Sequence, residues 1–376
     1  MRKDCCKAAV ISLLCIIIPS ASAQDATAVR TEIIAQGLDH PWALAFIDRK
    51  RMLVSERAGT LRVVQAGVPI SAPVAGLPKI YVGGQGGLLD VITDRQFSSN
   101  RIIYFCYSKA ANAKTGGNGN STALASARLS DDATQLEQVK VLFNQQPKFD
   151  SRAHFGCRIV ENTDGTLFLT LGDRFSRMQD AQTLNNHHGK IVRIRKDGSV
   201  PTDNPFVGKP GALAEIWSIG HRNVQGATLG PDGKLWTHEH GPQGGDEINR
   251  PQAGKNYGWP VITYGENYGG GKIGAGLTAK AGMEQPLHQW TPSIAPSGMR
   301  FLRSDRYGKA WQGNLFVGSL KFHYLARLEL KDSKVVHEER LLQNVGQRIR
   351  EGPDGLLYVL TDEANGQLLR VLPAKY

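Results

Sequence analysis

The chain has 376 residues, 41% of them hydrophobic and 21% charged, a balance that excludes an intrinsically disordered polypeptide. Glycine is frequent, 42 residues against a usual share of roughly 7%, and together with 18 prolines and no collagen period it points to many tight turns. A formal net charge of +11 suits nucleic acid, an anionic surface or an anionic ligand, but no run of five or more Lys/Arg occurs anywhere.

The first residues read as a leader. Met1-Arg2-Lys3 and Lys7 supply a positive start, Ala8 to Ile18 an apolar stretch, and Ala21-Ser22-Ala23 a small-x-small cleavage pattern. That stretch is well short of the ~20 residues that span a bilayer. The reading is a secretory signal peptide over residues 1–23, cleaved before Gln24. A lipid anchor at Cys15 is the rival, set back by the bulky Leu14 before it. No later segment is apolar enough to span a membrane, so the mature protein is expected to be soluble, periplasmic or secreted. Export argues against nucleic acid as a partner and leaves an anionic cofactor as the sharper use of the positive charge. Only Cys106 and Cys157 remain in the mature chain, either paired in an oxidising compartment or buried as two small hydrophobes.

One phrase then recurs six times: a turn, a short apolar strand, and polar residues. In chain order the copies are Asp48–Arg57, Asn100–Lys109, Asp164–Asp173, Pro231–His240, Gly313–Lys321 and Pro353–Glu363. Asp-Gly starts three of the strands, because glycine accepts the positive φ of a tight turn. Segments between the copies, such as Leu61–Gln65 and Lys190–Arg195, also look like short strands, and no amphipathic helix of ten residues is evident. The spacing predicts an all-β chain: one six-bladed β-propeller over residues 24–376, with insertions between blades. Two stacked β-sandwiches are the alternative, but they would not demand the phrase. In a propeller the inner strands converge on a channel, so the charged groups that end the phrases would meet at one rim.

Five segments carry candidate chemistry. Gly83-Gly84-Gln85-Gly86-Gly87 lets backbone approach a ligand, and lacks the Lys-Ser/Thr of a phosphate loop. His154, in Arg152–Arg158 before a strand, is a candidate general base or a packed core residue. Arg222 and Asn223 lie between Gly220 and Gly226, suited to a carbonyl-rich ligand or to turn capping. The stretch His238–Glu247 is the most polar. His238 and His240 would share a strand face at zinc-like spacing, but no third zinc ligand is evident, and a glycine-rich turn carrying Asp246 and Glu247 better suits Ca²⁺. Lys321, Arg348 and Arg350 would place three cations on one rim, ready for carboxylates.

The ordered motifs GGQGGLLD, HFGCRI, LGDR, GHRNVQG, EHGPQGGDEIN, NYGWP, SLK and RIR…GPDGLLYVLTDE make the chain resemble the soluble quinoprotein glucose/sorbosone dehydrogenases, in particular their bacterial aldose sugar dehydrogenase branch. The resemblance covers about residues 30–373. It implies a six-bladed propeller that binds pyrroloquinoline quinone and Ca²⁺ and oxidises aldoses at C1 to lactones, passing electrons to a periplasmic acceptor. By position, it implies His154 as general base, supported by Asp173, with Arg222 stabilising developing charge. Gln85, Arg222, Asn223, Tyr268, Lys321, Arg348 and Arg350 match residues around the quinone. Gly241 and Pro242 match carbonyl ligands of Ca²⁺, and Glu247 and Tyr257 a further Ca²⁺ site. Two departures stand out: the segment between Arg350 and Gly352 is shorter than in relatives, and Ala153 replaces an Asp of glucose-specific ones. A Ca²⁺-dependent lactonase-type hydrolase and a non-catalytic glycan- or protein-binding propeller are the other readings, and either a monomer or a homodimer is compatible with the sequence.

Overall fold

The computed structural model describes residues 29–111, 119–343 and 348–374; the leader lies outside the described residues. Strand β1 (Val29–Leu38) comes first in the chain but belongs to the last sheet. Blade one is β2 (Pro41–Phe46), β3 (Arg51–Glu56) and β4 (Thr60–Gln65). Blade two is β5 (Leu88–Thr93), β6 (Ile102–Ala110), β7 (Asn120–Leu129) and β8 (Leu136–Asn144). Blade three is β9 (Ile159–Glu161), β10 (Leu167–Thr170), β11 (Lys190–Ile194) and β12 (Ile216–Ile219). Blade four is β13 (Val224–Leu229), β14 (Leu235–Glu239), β15 (Asp246–Asn249) and β16 (His288–Trp290). Blade five is β17 (Pro296–Phe301), β18 (Leu315–Ser319), β19 (Tyr324–Lys331) and β20 (Lys334–Gln343). Blade six is β21 (Arg348–Glu351), β22 (Leu357–Leu360) and β23 (Gly366–Pro373), completed by β1, which pairs from Val29 opposite Pro373 to Leu38 opposite Gly366. The fold is the expected six-bladed β-propeller. The first and last described strands close the ring inside one sheet.

The blades pack face to face, so their central strands are covered on both sides and read as continuous apolar runs rather than alternating ones. Every residue of β10 and β18 is buried. Each of their Leu, Phe and Val side chains contributes about 1.5–3 kcal/mol on burial. The three Asp-Gly turns share one geometry. Gly165, Gly233 and Gly355 all have positive φ, and Asp164, Asp232 and Asp354 each accept a hydrogen bond from the backbone N–H two residues on. Among the described residues the α-helix amounts to one turn, α1 (Phe97–Asn100), and no helix is long and apolar enough to cross a membrane.

The recurrent phrase is the second strand of each blade, not the innermost one: β3, β6, β10, β14, β18 and β22. The first strands β2, β5, β9, β13, β17 and β21 line the axis, each touching the first strands of both neighbouring blades. Antiparallel pairing sets the end of each second strand beside the start of its first strand, as in Pro41 opposite Glu56, Val224 opposite Glu239 and Arg348 opposite Leu360. The phrase ends therefore do reach one mouth of the channel, here called the near mouth. Cys106 in β6 and Cys157 ahead of β9 form a disulfide, tying blade two to the segment that enters blade three.

Candidate active site

The near mouth holds two cavities that meet at His240. The inner one, of about 90 Å³, is lined by Trp42, Arg57, Gln85, Asn223, Arg348 and Asp362, among others. The outer one, of about 560 Å³, is walled by Gly241, Pro242, Tyr268, Pro292 and Lys321.

His154 is buried beside them. Its Nδ1 lies 2.6 Å from Asp173 Oδ1, and its Nε2 has no partner among the described residues. Asp173 is fully buried and also accepts from Trp259 Nε1 at 2.7 Å and from the Phe175 backbone N–H at 2.8 Å. A carboxylate held this way accepts a hydrogen bond from Nδ1–H, which keeps the proton on Nδ1 and leaves Nε2 with its lone pair. Burial lowers the His154 pKa below the ordinary 6.5; Asp173 works against that shift, and Arg222 and Arg174 with it. The imidazole is thus neutral at pH 7. Gln85 Oε1 accepts the His154 backbone N–H at 2.8 Å, pinning a residue whose φ is +54°. Gly172 passes directly over this residue, where a Cβ would collide with the His154 carbonyl.

Arg222 joins the base to the outer cavity. Its backbone N–H donates to buried Glu239 at 2.6 Å, Nη1 to the carbonyls of His240 and Gly241, and Nη2 to the Tyr268 hydroxyl at 3.3 Å. Its Nε is buried without a partner among the described residues. Asn223 Oδ1 accepts from the Gly156 N–H and from Gln225 Nε2, so it braces the loop after His154 as well as lining the inner cavity. Arg348 is buried with its guanidinium carbon 4.2 Å from the Trp42 ring centroid, and its Nε and Nη1 have no partner among the described residues. Burial, and then the neighbouring Arg158, push its pKa down to about 9. These orphaned donors fit an anionic, oxygen-rich group.

Not every candidate residue meets here. Arg350 shares the face of β21 with Arg348 but sits one side chain deeper, bonded to the Leu44 carbonyl at 3.3 Å and to Asp90 at 3.5 Å, and it lines the far mouth. The three cations expected on one rim are therefore divided, Lys321 and Arg348 from Arg350, because two residues along a strand rise about 6.6 Å. Asp246, grouped with Glu247 as an ion ligand in the sequence reading, is instead saturated by the Gly241, Ile294 and Ala295 N–H groups and the Ser293 hydroxyl. It braces the turn that presents Gly241 and Pro242. The zinc alternative also falls, since His240 Nε2 is bonded to the Pro296 carbonyl and no group of three His, Cys, Asp or Glu is placed for a metal among the described residues.

Oxygen atoms that could hold a divalent cation gather elsewhere on blade four. Glu239 and Glu247 lie directly opposite each other across β14 and β15, with Asn249 alongside, its Oδ1 buried and unpaired. Burial, and then Glu239, raise the Glu247 pKa to about 8. Tyr257 stacks on His221 there, but its hydroxyl is taken by the Arg250 carbonyl and the Gln252 N–H, which leaves its main-chain carbonyl as the donor. Sequence reading missed Trp42 and Trp259; Trp259 stood in the NYGWP motif, yet no spacing marked it. Arg57 and Asp362 do line the inner cavity, as expected of the charged groups that end the phrases.

A family model described as Glucose / Sorbosone dehydrogenase matches residues 38–370. The chain belongs to that family. It is 45% identical over 370 residues to an aldose sugar dehydrogenase of Escherichia coli (strain K12), covering 97% of this chain and 98% of that one. It is 30% identical to quinoprotein glucose dehydrogenase B of Acinetobacter calcoaceticus, over 89% of this chain and 85% of that one. The crystal structure of the apo aldose sugar dehydrogenase of E. coli superposes with a TM-score of 0.87 over 92% of this chain and 99% of that one, at 44% identity. The PQQ-bound aldose sugar dehydrogenase of Streptomyces coelicolor gives 0.71 at 25% identity, over 92% of this chain and 99% of that one. As a member of the glucose/sorbosone dehydrogenases, the protein is an oxidoreductase.

Proposed function

We propose that this glucose/sorbosone dehydrogenase oxidises aldoses at C1 to lactones with pyrroloquinoline quinone and Ca²⁺, in the periplasm or outside the cell. The observation that carries the reading is the His154–Asp173 pair, a neutral imidazole with a free Nε2 at a cationic mouth. His154 takes the proton of the anomeric hydroxyl, and Asp173 stabilises the imidazolium that forms. The quinone, when bound, supplies the acceptor for the hydride leaving C1, and Ca²⁺ supplies Lewis-acid polarisation. Arg348, Lys321, Asn223 and Gln85 would hold the cofactor's carboxylates and polar edge, with Arg222 and Tyr268 beside it. The Gly241 and Pro242 carbonyls would hold the ion next to it, and Glu247 with the Tyr257 carbonyl a second one. The buried, unpaired donors of Arg348 and Arg222 support this, because a neutral lactone would leave them unmatched, and so would a bare binding surface.

The test is a titration of apoprotein with the quinone and Ca²⁺, following dye reduction with a panel of aldoses. Turnover that needs both and falls by about 10²–10⁴-fold in His154→Ala, with the quinone still bound, is the expected result. Absence of quinone binding at micromolar concentration overturns the reading.

A further inference from the structure

We propose that the far mouth of the channel is a second ligand site, which takes a small phosphate-bearing anion. The C-terminal ends of all six first strands, β2, β5, β9, β13, β17 and β21, surround a cavity of about 520 Å³ on the face opposite His154. Three arginines, Arg300, Arg303 and Arg350, stand together on its wall.

They are poorly neutralised. The guanidinium of Arg303 has no partner among the described residues, and Arg300 Nε makes no hydrogen bond. Glu351 accepts the Arg303 and Ser304 backbone N–H groups and reaches Arg300 only at 3.8 Å. Asp90, 3.5 Å from Arg350, already binds Arg158 and the Ile159 N–H. Burial, and then Arg350 and Arg303, lower the Arg300 pKa to about 10, which agrees with cations crowding one another. On the opposite wall the carboxylates of Asp94 and Glu161 are both bridged by Lys196 at 2.6 Å, and the Arg95 guanidinium donates only to carbonyls. The concave site therefore carries excess positive charge on rigid strand ends.

Guanidinium forks match phosphate oxygens in pairs, and three of them match a dianion. The cavity has room beyond the phosphate group for an organic body. It does not open onto the near mouth. Arg158, Met299 and Arg348 help close the channel to a gap of about 10 Å³. A far-mouth ligand is thus separate from the sugar and the quinone.

The mature protein would be titrated calorimetrically, at fixed ionic strength in chloride, with inorganic phosphate and with glycerol 3-phosphate. Saturable one-to-one binding is expected, weakened at least tenfold in Arg303→Gln and in Arg300→Gln, with dye-reduction activity unchanged. Arg303 is exposed, so its variant tests the site without disturbing the core. Tighter binding of the ester would show that the organic body is recognised; equal binding, that the phosphate group alone is. Non-saturable binding, binding retained in the double variant, or binding lost on loading the quinone would each overturn the assignment.

Discussion

His154 is held in place from four directions. Asp173 fixes its ring, Gln85 its backbone N–H, Gly172 crosses over it, and Phe175 meets its ring edge-on at 5.2 Å. A positive φ at a non-glycine residue costs of order 1–3 kcal/mol and persists only where its surroundings impose it. The sequence made the histidine visible through HFGCRI and its partner through LGDR, but neither motif states that Trp259 supplies a third bond to the carboxylate from a loop of blade four. Asp173→Asn is expected to lower kcat by about 10²–10⁴-fold with the quinone still bound, because an amide no longer enforces the Nδ1–H tautomer. The pH profile gives a second reading. A base must be unprotonated, and burial lowers the His154 pKa, so kcat/KM should stay flat through pH 6.5 and fall only on the acid side of it. An acid limb centred above 6.5 would assign the base to another group.

At the scale of the element, strand ends decide what meets. The phrases were legible because a strand covered on both faces must be apolar throughout, and because Asp-Gly turns need glycine at positive φ. Their place as second strands was not legible, since pairing order depends on contacts distant in sequence. The same gap explains Arg348 and Arg350: the motif RIR shows two cations on one face, but only the register of β21 against β22 shows that they serve opposite mouths. The pairing of β14 with β15 carries a prediction. Glu239 and Glu247 are directly opposed carboxylates, a destabilising arrangement unless protonated or bridged. A cation bound there stabilises the fold through linkage, by about 2.7 kcal/mol at a concentration 100 times its Kd. Denaturant unfolding with Ca²⁺ and with chelator should differ by that order, and Glu247→Gln should remove most of the difference. An equal response in that variant would move the ion away from this pair.

In the whole molecule, ring closure depends on the first described strand. β1 is far in sequence from its partner β23, and only Ile34 and Leu38 of its ten residues are buried, so no continuous apolar run announced it. Its inward side chains Ile34 and Leu38 join an apolar core shared by blades five, six and one, with Leu325 of blade five and Leu357, Leu360 and Leu368 of blade six. Its outward residue Ile33 stands 55% exposed. Blade six has no other fourth strand, so loss of β1 would bare the edge of β23 and the core beneath it. Leu38→Ala is expected to cost about 2–5 kcal/mol, a large share of the 5–15 kcal/mol typical of a folded protein. Ile33→Ala, on the same strand but facing solvent, should stay within about 0.5 kcal/mol. Urea unfolding of the two variants beside the parent separates the cases. Equal, small losses would mean that β1 is not needed to close the ring, and that the other blades hold the channel and both its mouths without it.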